Sequence, residues 1–306
     1  MIEAEHLSKR YGAKLAVDDL SFTALPGTVT GFLGPNGAGK STTMRMIAGL
    51  DAPTSGRVRV NGKDYRQAAA PLAELGTLLE AKAVHTGRSA RNHLLALAQT
   101  AGLGRARVEE VLELVGLTDV ARRRVGGFSL GMGQRLGIAA ALLGRPQTVI
   151  LDEPVNGLDP EGVRWVRTLL KALADEGRTV FVSSHLMSEM AMTATRLVVV
   201  GRGRLIADTT VDQFVAQSTS SSVRVRTPEA NTLRVLLQGP DVTVSSDRPD
   251  VITVSGLDAE QIGRVVWEHH LPVYELTTVQ ASLEEAFMQV TQDSVEYRTV
   301  AEEMSR

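Results

Sequence analysis

The stretch GPNGAGKS at residues 34–41 follows a short apolar run, VTGFL at residues 29–33, and precedes a predicted helix at residues 42–50. It matches the pattern GxxxxGK[ST], whose glycines let backbone N–H groups surround phosphate oxygens at a helix N-terminus. Lys40 is expected to contact the β- and γ-phosphates, and Ser41 to offer its hydroxyl to Mg²⁺. The alternative, a glycine turn with an incidental lysine, is disfavoured by the strand–loop–helix context. The candidate nucleotide contacts here are Gly34, Pro35, Asn36, Gly37, Ala38, Gly39, Lys40, Ser41 and Thr42.

A second polar signal lies at the end of a predicted buried strand, TVILDE at residues 148–153. The carboxyl ends of parallel strands line the ligand crevice of an α/β sheet. Asp152 is therefore expected to hold Mg²⁺, and Glu153 to polarise the attacking water as a general base. Alone, the pair could equally cap a surface turn; the phosphate loop upstream favours the catalytic interpretation.

Composition excludes several classes of protein. The 306 residues contain no cysteine, which excludes disulfides, thiolate nucleophiles and cysteine-ligated metals, and 43% hydrophobic residues suffice for a sizeable core. The longest near-continuous apolar run, residues 136–144, is far shorter than the roughly 20 residues of a bilayer span. We expect no secretory signal in MIEAEHLSKRYG, and the net charge of −2 argues against bulk nucleic-acid binding.

Charge and local pattern divide the chain near residue 218. Residues 1–218 carry 26 basic and 21 acidic side chains, a net of +5, whereas residues 219–306 carry 7 and 14, a net of −7. The first part alternates short apolar strands with helices, which predicts an α/β domain with a largely parallel sheet and a helical insertion at about 85–145. The second part reads β-α-β-β-α-β and then a helix opened by Ser282 and Glu285, which predicts a small ferredoxin-like α+β domain at 219–306.

The stretch FSLGMGQR at residues 128–135 precedes TVILDE by a short distance, and here the chain resembles the ATP-binding subunits of ABC transporters. The signature of that family is LSGGQ or a close variant followed by x-Q-R. Ser129 and Gly131 match it, whereas Phe128 and Leu130 replace a leucine and the first glycine. Variants of this kind resemble the drug-resistance branch, the daunorubicin and bacitracin type of exporter. The resemblance implies a P-loop NTPase cassette.

Further residues fall at motif positions of the same family. Asp159 in NGLD, residues 156–159, matches the D-loop, and His185 matches the switch histidine that contacts the γ-phosphate. Tyr11 matches the aromatic residue that stacks on adenine, with Val17 beside the base. Each has a structural alternative: a partly buried tyrosine, or a histidine that only ends a strand.

One motif position departs from the family. The run LGTLLE at residues 75–80 places Glu80 where the family's Q-loop carries glutamine. Glutamate keeps an oxygen ligand for Mg²⁺ but adds a charge and loses an N–H donor. A metal role for Glu80 is therefore expected, and the alternative is a glutamate on a solvated loop.

The resemblance also implies how the protein works. Two copies are expected to form an ATP-dependent head-to-tail dimer, in which each ATP and its Mg²⁺ lie between one phosphate loop and the other copy's signature. A separate transmembrane permease would hold the chain at the cytoplasmic face of the membrane, with residues 80–93 in the groove for its coupling helix. A multidrug, antibiotic or lipid-like substrate would be exported. The alternatives are a non-transport ABC ATPase on ribosomes or DNA, which usually carries two cassettes or a long coiled coil, and a regulatory protein with an inactive nucleotide site.

Overall fold

The computed structural model of the chain describes residues 1–80, 84–217, 222–279 and 282–291. They fall into two compact units, Met1–Val211 and Asp212–Val290. The predicted boundary near 218 lies outside the described residues, and the division at that point stays a prediction. No helix within the described ranges is long and apolar enough to cross a membrane.

The first unit alternates strands and helices as predicted. Its strands are β1 (Ile2–Tyr11), β2 (Lys14–Ala24), β3 (Thr28–Leu33), β4 (Ser55–Val60), β5 (Leu75–Leu78), β6 (Thr148–Asp152), β7 (Thr179–Ser183), β8 (Arg196–Gly201) and β9 (Arg204–Thr210). Its helices are α1 (Lys40–Ile47), α2 (Pro71–Glu74), α3 (Ala90–Thr100), α4 (Arg105–Leu114), α5 (Leu130–Leu142), α6 (Pro160–Asp175) and α7 (Met187–Thr193). Helix α8 (Val211–Gln217) follows at the division between the units.

A six-stranded sheet forms the centre of this unit, in the order β5-β6-β7-β3-β8-β9. All neighbours are parallel except β8 and β9. The inner strands are almost entirely buried, which explains why they read as continuous apolar runs rather than alternating ones. Parallel pairing brings the carboxyl ends of β3, β6 and β7 to one edge, where the phosphate loop and Asp152 lie.

The strands β2, β1 and β4 form a separate antiparallel sheet. Its two long strands, β1 and β2, lie at the start of the chain, and the sequence pattern did not reveal them. These strands alternate buried and exposed residues, and the ladder is interrupted by several register shifts. Their apolar signal is therefore weaker than that of a buried parallel strand. Phe22 of β2 stacks on Phe181 of β7 at 5.4 Å between ring centroids, and Phe32 of β3 lies 4.9 Å from Phe181, so aromatic packing joins the two sheets.

Three helices, α3, α4 and α5, occupy the predicted helical insertion between β5 and β6. Ser89 and Ser129 cap α3 and α5 through side-chain oxygens that accept backbone N–H groups. Helix α5 approaches the sheet closely at Gly76 of β5, where an added Cβ would lie 1.9 Å from the carbonyl oxygen of Ala141 on α5. The absence of a side chain at Gly76 lets α5 pack directly on the parallel sheet.

The second unit contains the predicted β-α-β-β-α-β order. Its elements are β10 (Ser222–Arg226), α9 (Ala230–Leu236), β11 (Thr243–Arg248), β12 (Val251–Ser255), α10 (Ala259–Glu268) and β13 (Glu275–Val279), followed by α11 (Leu283–Thr291). The strands form one antiparallel sheet in the order β11-β12-β10-β13. Val225, Leu233, Val254 and Ile262 belong to a buried cluster shared by strands and helices, which gives the unit its own core. The expected capping box opens α11: Ser282 and Glu285 exchange backbone-to-side-chain hydrogen bonds of 2.7 and 3.1 Å.

Candidate active site

The phosphate loop leaves β3 at Leu33 and enters α1 at Lys40, two residues before the predicted helix start. Gly39, the residue before the helix, has φ of 96°, a left-handed conformation that favours glycine. A Cβ at Gly39 would also lie 2.5 Å from the carbonyl oxygen of Ala16. The loop can therefore close against β2 only with glycine at this position.

A cavity of about 450 Å³ opens beside this loop. It lies between the loop, the end of β6 and the hairpin of β1 and β2. Its lining residues are Tyr11, Lys14, Ala16, Asn36, Gly37, Ala38, Gly39, Lys40, Ser41, Thr42, Asp152 and Glu153. Most of the sequence-predicted nucleotide contacts thus surround one cavity.

Lys40 reaches back along the phosphate loop. Its Nζ donates hydrogen bonds to the carbonyl oxygens of Gly34 at 2.5 Å and Pro35 at 3.2 Å. Gly34 and Pro35, which were predicted to contact the nucleotide, therefore bind the Lys40 side chain and do not line the cavity. Burial lowers the pKa of the Lys40 ammonium, and the carboxylates of Glu153 and Asp152 act in the opposite direction. The cavity lining thus combines two lysines, Lys14 and Lys40, with the two acids Asp152 and Glu153.

Oxygen ligands for a metal ion meet at the end of the loop. The Ser41 hydroxyl lies 3.2 Å from Oδ2 of Asp152, and the hydroxyl of Ser183 on β7 donates to Oδ1 of the same carboxylate. A hydroxyl and a carboxylate beside a phosphate site are hard oxygen donors of the kind that Mg²⁺ prefers. Ser41 and Asp152 therefore fit a Mg²⁺ site.

Glu80 does not line the cavity. It is exposed and follows β5, which runs parallel to β6 with Leu78 opposite Leu151. The strand pairing brings Glu80 to the same sheet edge as Asp152, and its metal role stays a prediction.

Glu153 follows Asp152 directly in the chain and contacts His185. Its Oε2 lies 2.7 Å from Nδ1 of His185 and accepts the backbone N–H of the same residue at 3.2 Å. The backbone of Glu153 has φ of 50°, in the left-handed region that non-glycine residues rarely adopt. A carboxylate held next to Lys40, Asp152 and a histidine is suited to accept a proton from water.

The signature residues lie outside the cavity. Ser129 is the N-cap of α5, where its Oγ accepts the N–H of Met132 at 3.2 Å, and Gly131 lies against Leu158. Asp159 is likewise an N-cap, that of α6, with Oδ1 accepting the N–H of Gly162 at 3.0 Å. Among the described residues, no member of α5 or α6 lines the cavity, so one chain does not bring Ser129, Gly131 and Asp159 to its own phosphate loop.

Tyr11 lines the cavity at its other end, and Val17 does not. The Tyr11 hydroxyl donates to Oδ2 of Asp51 at 2.8 Å, and the ammonium of Lys9 lies 5.0 Å from the ring centroid. Val17 is fully buried behind Gly39, and Ala16 lines the cavity there instead. The predicted contact of Val17 with the base gains no support, because strand β2 directs that side chain into the core.

Four residues around the site were not among the predicted ones: Lys14, Asp51, Gln134 and Ser183. Gln134 lies within the stretch FSLGMGQR, and Ser183 lies two residues before His185, so the sequence carried a local signal for both. Asp51 had none, because its contact with Tyr11 joins positions 40 residues apart.

Comparison with known proteins gives consistent results. The ABC transporter profile matches residues 17–156, and the profile of a domain of unknown function, DUF8746, matches residues 221–284. The bacitracin transport ATP-binding protein BcrA of Bacillus licheniformis is 35% identical over 299 residues, which cover 95% of this chain and 97% of BcrA. The daunorubicin resistance ATP-binding protein DrrA3 of Streptomyces coeruleorubidus is 34% identical over 305 residues, 95% of this chain and 96% of DrrA3.

Similarity to solved structures supports the same fold. A dimeric ATP-binding cassette in a post-hydrolysis state with ADP and phosphate matches with a TM-score of 0.63 and 24% identity. The match covers 69% of this chain and 98% of that structure. The predicted cassette fold is therefore confirmed.

Proposed function

Because this chain belongs to the family of ABC transporter ATP-binding proteins, we propose that its ATP hydrolysis drives export of an antibiotic-like or drug-like molecule through a separate transmembrane permease. The observation that carries the ATPase part of this proposal is the cavity beside the phosphate loop, where Lys40, Ser41, Asp152 and Glu153 meet. Each supplies a different part of ATP hydrolysis.

The mechanism follows from the position of each side chain. Lys40 and the loop N–H groups bind the β- and γ-phosphates. Ser41 and Asp152 would hold Mg²⁺, which would supply positive charge to neutralise the phosphates. Glu153 accepts a proton from the attacking water, and His185, 2.7 Å from that carboxylate, keeps it oriented. His185 does not itself line the cavity, and its contact with the γ-phosphate is proposed from the family motif.

The site of one chain is completed by a second copy. Ser129 and Gly131 lie at the N-terminus of α5, where a helix dipole and backbone N–H groups suit an anion, yet they are outside the cavity of their own chain. In a head-to-tail dimer they would close the γ-phosphate side of the other copy's cavity. ATP then holds the dimer together, and hydrolysis releases it.

The class of substrate comes from the relatives. BcrA is a bacitracin transport protein and DrrA3 a daunorubicin resistance protein, and both match over nearly the whole chain. Removal of a toxic compound from the cell confers resistance to it, so the resistance named for DrrA3 favours export. The non-transport alternative on ribosomes or DNA gains no support from these relatives.

A permease partner would place this chain at the cytoplasmic face of the membrane. Residues 84–93 follow β5 and lead into α3, and they are polar; residues 81–83 of the predicted groove lie outside the described residues. A photo-crosslinker scanned through 84–93 should capture the permease. If no position in 84–93 crosslinks to the permease while positions elsewhere on the cassette do, these residues do not form the groove for its coupling helix.

The experiment that tests the proposed ATPase is the substitution Glu153→Gln. It removes the proton acceptor and keeps the size of the side chain, so ATP and Mg²⁺ should still bind while hydrolysis falls at least 100-fold. Size-exclusion chromatography with Mg-ATP should then show a stable dimer. Glu113→Gln, an exposed change on α4, should hydrolyse ATP at the wild-type rate. A Glu153→Gln chain that stays monomeric with saturating Mg-ATP would refute the dimer, and unchanged hydrolysis would refute the role of Glu153.

A further inference from the structure

Helix α5 contacts the backbone of Glu153 through one buried side chain. Gln134, only 4% exposed, donates from Nε2 to the carbonyl oxygen of Glu153 at 2.7 Å. A buried amide on an otherwise apolar helix face is costly to desolvate unless it is hydrogen-bonded. The contact therefore satisfies Gln134 at a specific place, the peptide that follows the proposed general base.

The peptide groups on both sides of Glu153 are held. Its N–H donates to Oγ of Ser183 at 3.0 Å, and its carbonyl oxygen also accepts the N–H of Asn156 at 3.1 Å. The restraints thus come from β7, from α5 and from the loop that leads to α6. Together they enclose a residue whose φ is 50°.

That backbone conformation needs external restraint. A left-handed φ brings the Cβ of an L-residue close to the carbonyl group of the preceding residue, so a glutamate adopts it only where neighbours impose it. The same φ sets the direction in which the Glu153 side chain leaves the strand end. A change at its carbonyl oxygen would therefore turn the carboxylate away from His185 and from the phosphate side of the cavity.

We propose that Gln134 is a positioning residue for ATP hydrolysis, because its amide holds the peptide of Glu153 and with it the direction of the general base. This inference rests on the proposed function, since it assumes that Glu153 activates water. Gln134 lies on the helix that Ser129 caps, in the turn that follows Gly131. Any movement of α5 when the signature engages the second copy's nucleotide would thus reach Glu153 through one hydrogen bond.

The test is Gln134→Met, which keeps the length of the side chain and removes its N–H donor. We expect kcat for ATP hydrolysis to fall at least 10-fold, while the Kd of a fluorescent ATP analogue changes less than twofold. Gln134→Asn keeps the amide but is one methylene too short, so it should also lower kcat and leave the Kd of the ATP analogue nearly unchanged. Ile138→Val, a small buried change one turn further along α5, serves as the control for loosened packing and should keep nearly wild-type kcat.

A double-mutant cycle distinguishes positioning from general damage. In a Glu153→Gln background the general base is absent, so adding Gln134→Met should leave the residual single-turnover rate within twofold. A further 10-fold loss there would overturn the inference, as would wild-type kcat in both Gln134 variants or a parallel loss of ATP binding. If the wild-type chain itself hydrolyses no ATP, the proposed function fails. An active wild type with an equally active Gln134→Met refutes only the inference.

Discussion

Tyr11 shows how a single side chain is fixed from outside its own motif. Its hydroxyl donates to Asp51, which also accepts two hydrogen bonds from the Arg45 guanidinium, at 2.8 and 3.2 Å. Lys9 lies over one face of the ring, so only the other face and the edges remain for a base. The ring is thus tied to α1, the helix that begins at the phosphate loop.

This network predicts a pH-dependent contribution to stability. The bidentate hydrogen bonds from Arg45, and then the Tyr11 hydroxyl, lower the pKa of Asp51 to about 2 from an ordinary value of 3.8. A depressed acid pKa stabilises the folded chain above the unfolded pKa, and the effect is lost as the pH falls through the folded one. Asp51→Asn should therefore lower the urea midpoint at pH 7, and its deficit should shrink between pH 4 and pH 2.

The control for this prediction is Asp119→Asn, an exposed carboxylate on the helical insertion. It should shift the urea midpoint little, and any difference should not fade in the same pH range. A deficit of Asp51→Asn that stays constant down to pH 2 would contradict the proposed strength of the network.

At the scale of elements, α5 and β5 meet by direct backbone contact. A Cβ at Gly76 of β5 would lie 1.9 Å from the carbonyl oxygen of Ala141 on α5. Just beyond the end of α5, a Cβ at Gly144 would lie 1.9 Å from the carbonyl oxygen of Leu72 on α2, the helix that precedes β5. Backbone atoms cannot rotate aside as side chains do. The helix that carries Ser129 and Gln134 is thus held at a fixed height above the sheet that carries Asp152 and Glu153.

Gly76→Ala tests this packing. The added methyl group must push α5 away from β5, and we expect a loss of about 3 kcal/mol in the free energy of unfolding, at the upper end of typical overpacking costs. Urea denaturation measures it. Gly133→Ala on the same helix, where an added Cβ meets nothing within 4 Å, should instead gain up to about 1 kcal/mol through helix propensity. Equal stability of Gly76→Ala and wild type would show that the two elements separate without cost.

For the whole molecule, ATP binding and the second unit are separable. All cavity-lining residues fall between Tyr11 and Glu153, in the first unit, and the second unit has its own buried cluster. A chain ending at residue 218 should therefore bind a fluorescent ATP analogue with a Kd within threefold of the full-length value. Weakening by tenfold or more would show that the second unit supports the cavity. Comparing permease capture by the two chains would test a docking role for the unit, which the DUF8746 match leaves open.

Local sequence motifs predict most of the residues that line the cavity. The phosphate loop and the acidic strand end are contiguous in sequence, and their chemistry depends on residue type and spacing within a few positions. The parallel sheet was predictable for a related reason, because strands buried on both faces leave continuous apolar runs. The family resemblance and the cassette fold that followed from these motifs are confirmed by the comparisons. The roles of the individual site residues stay predictions.

Only the tertiary structure decided which distant segments of the chain contact one another. The pairing of β1 with β4, the hydrogen bond from Tyr11 to Asp51 and the hydrogen bond from Gln134 to Glu153 join residues that no local pattern relates. The position of Ser129 and Gly131 outside their own cavity is of the same kind. The physical reason is that a motif specifies which groups can bind phosphate or move a proton, whereas packing of helices on the sheet sets which of them meet within one chain.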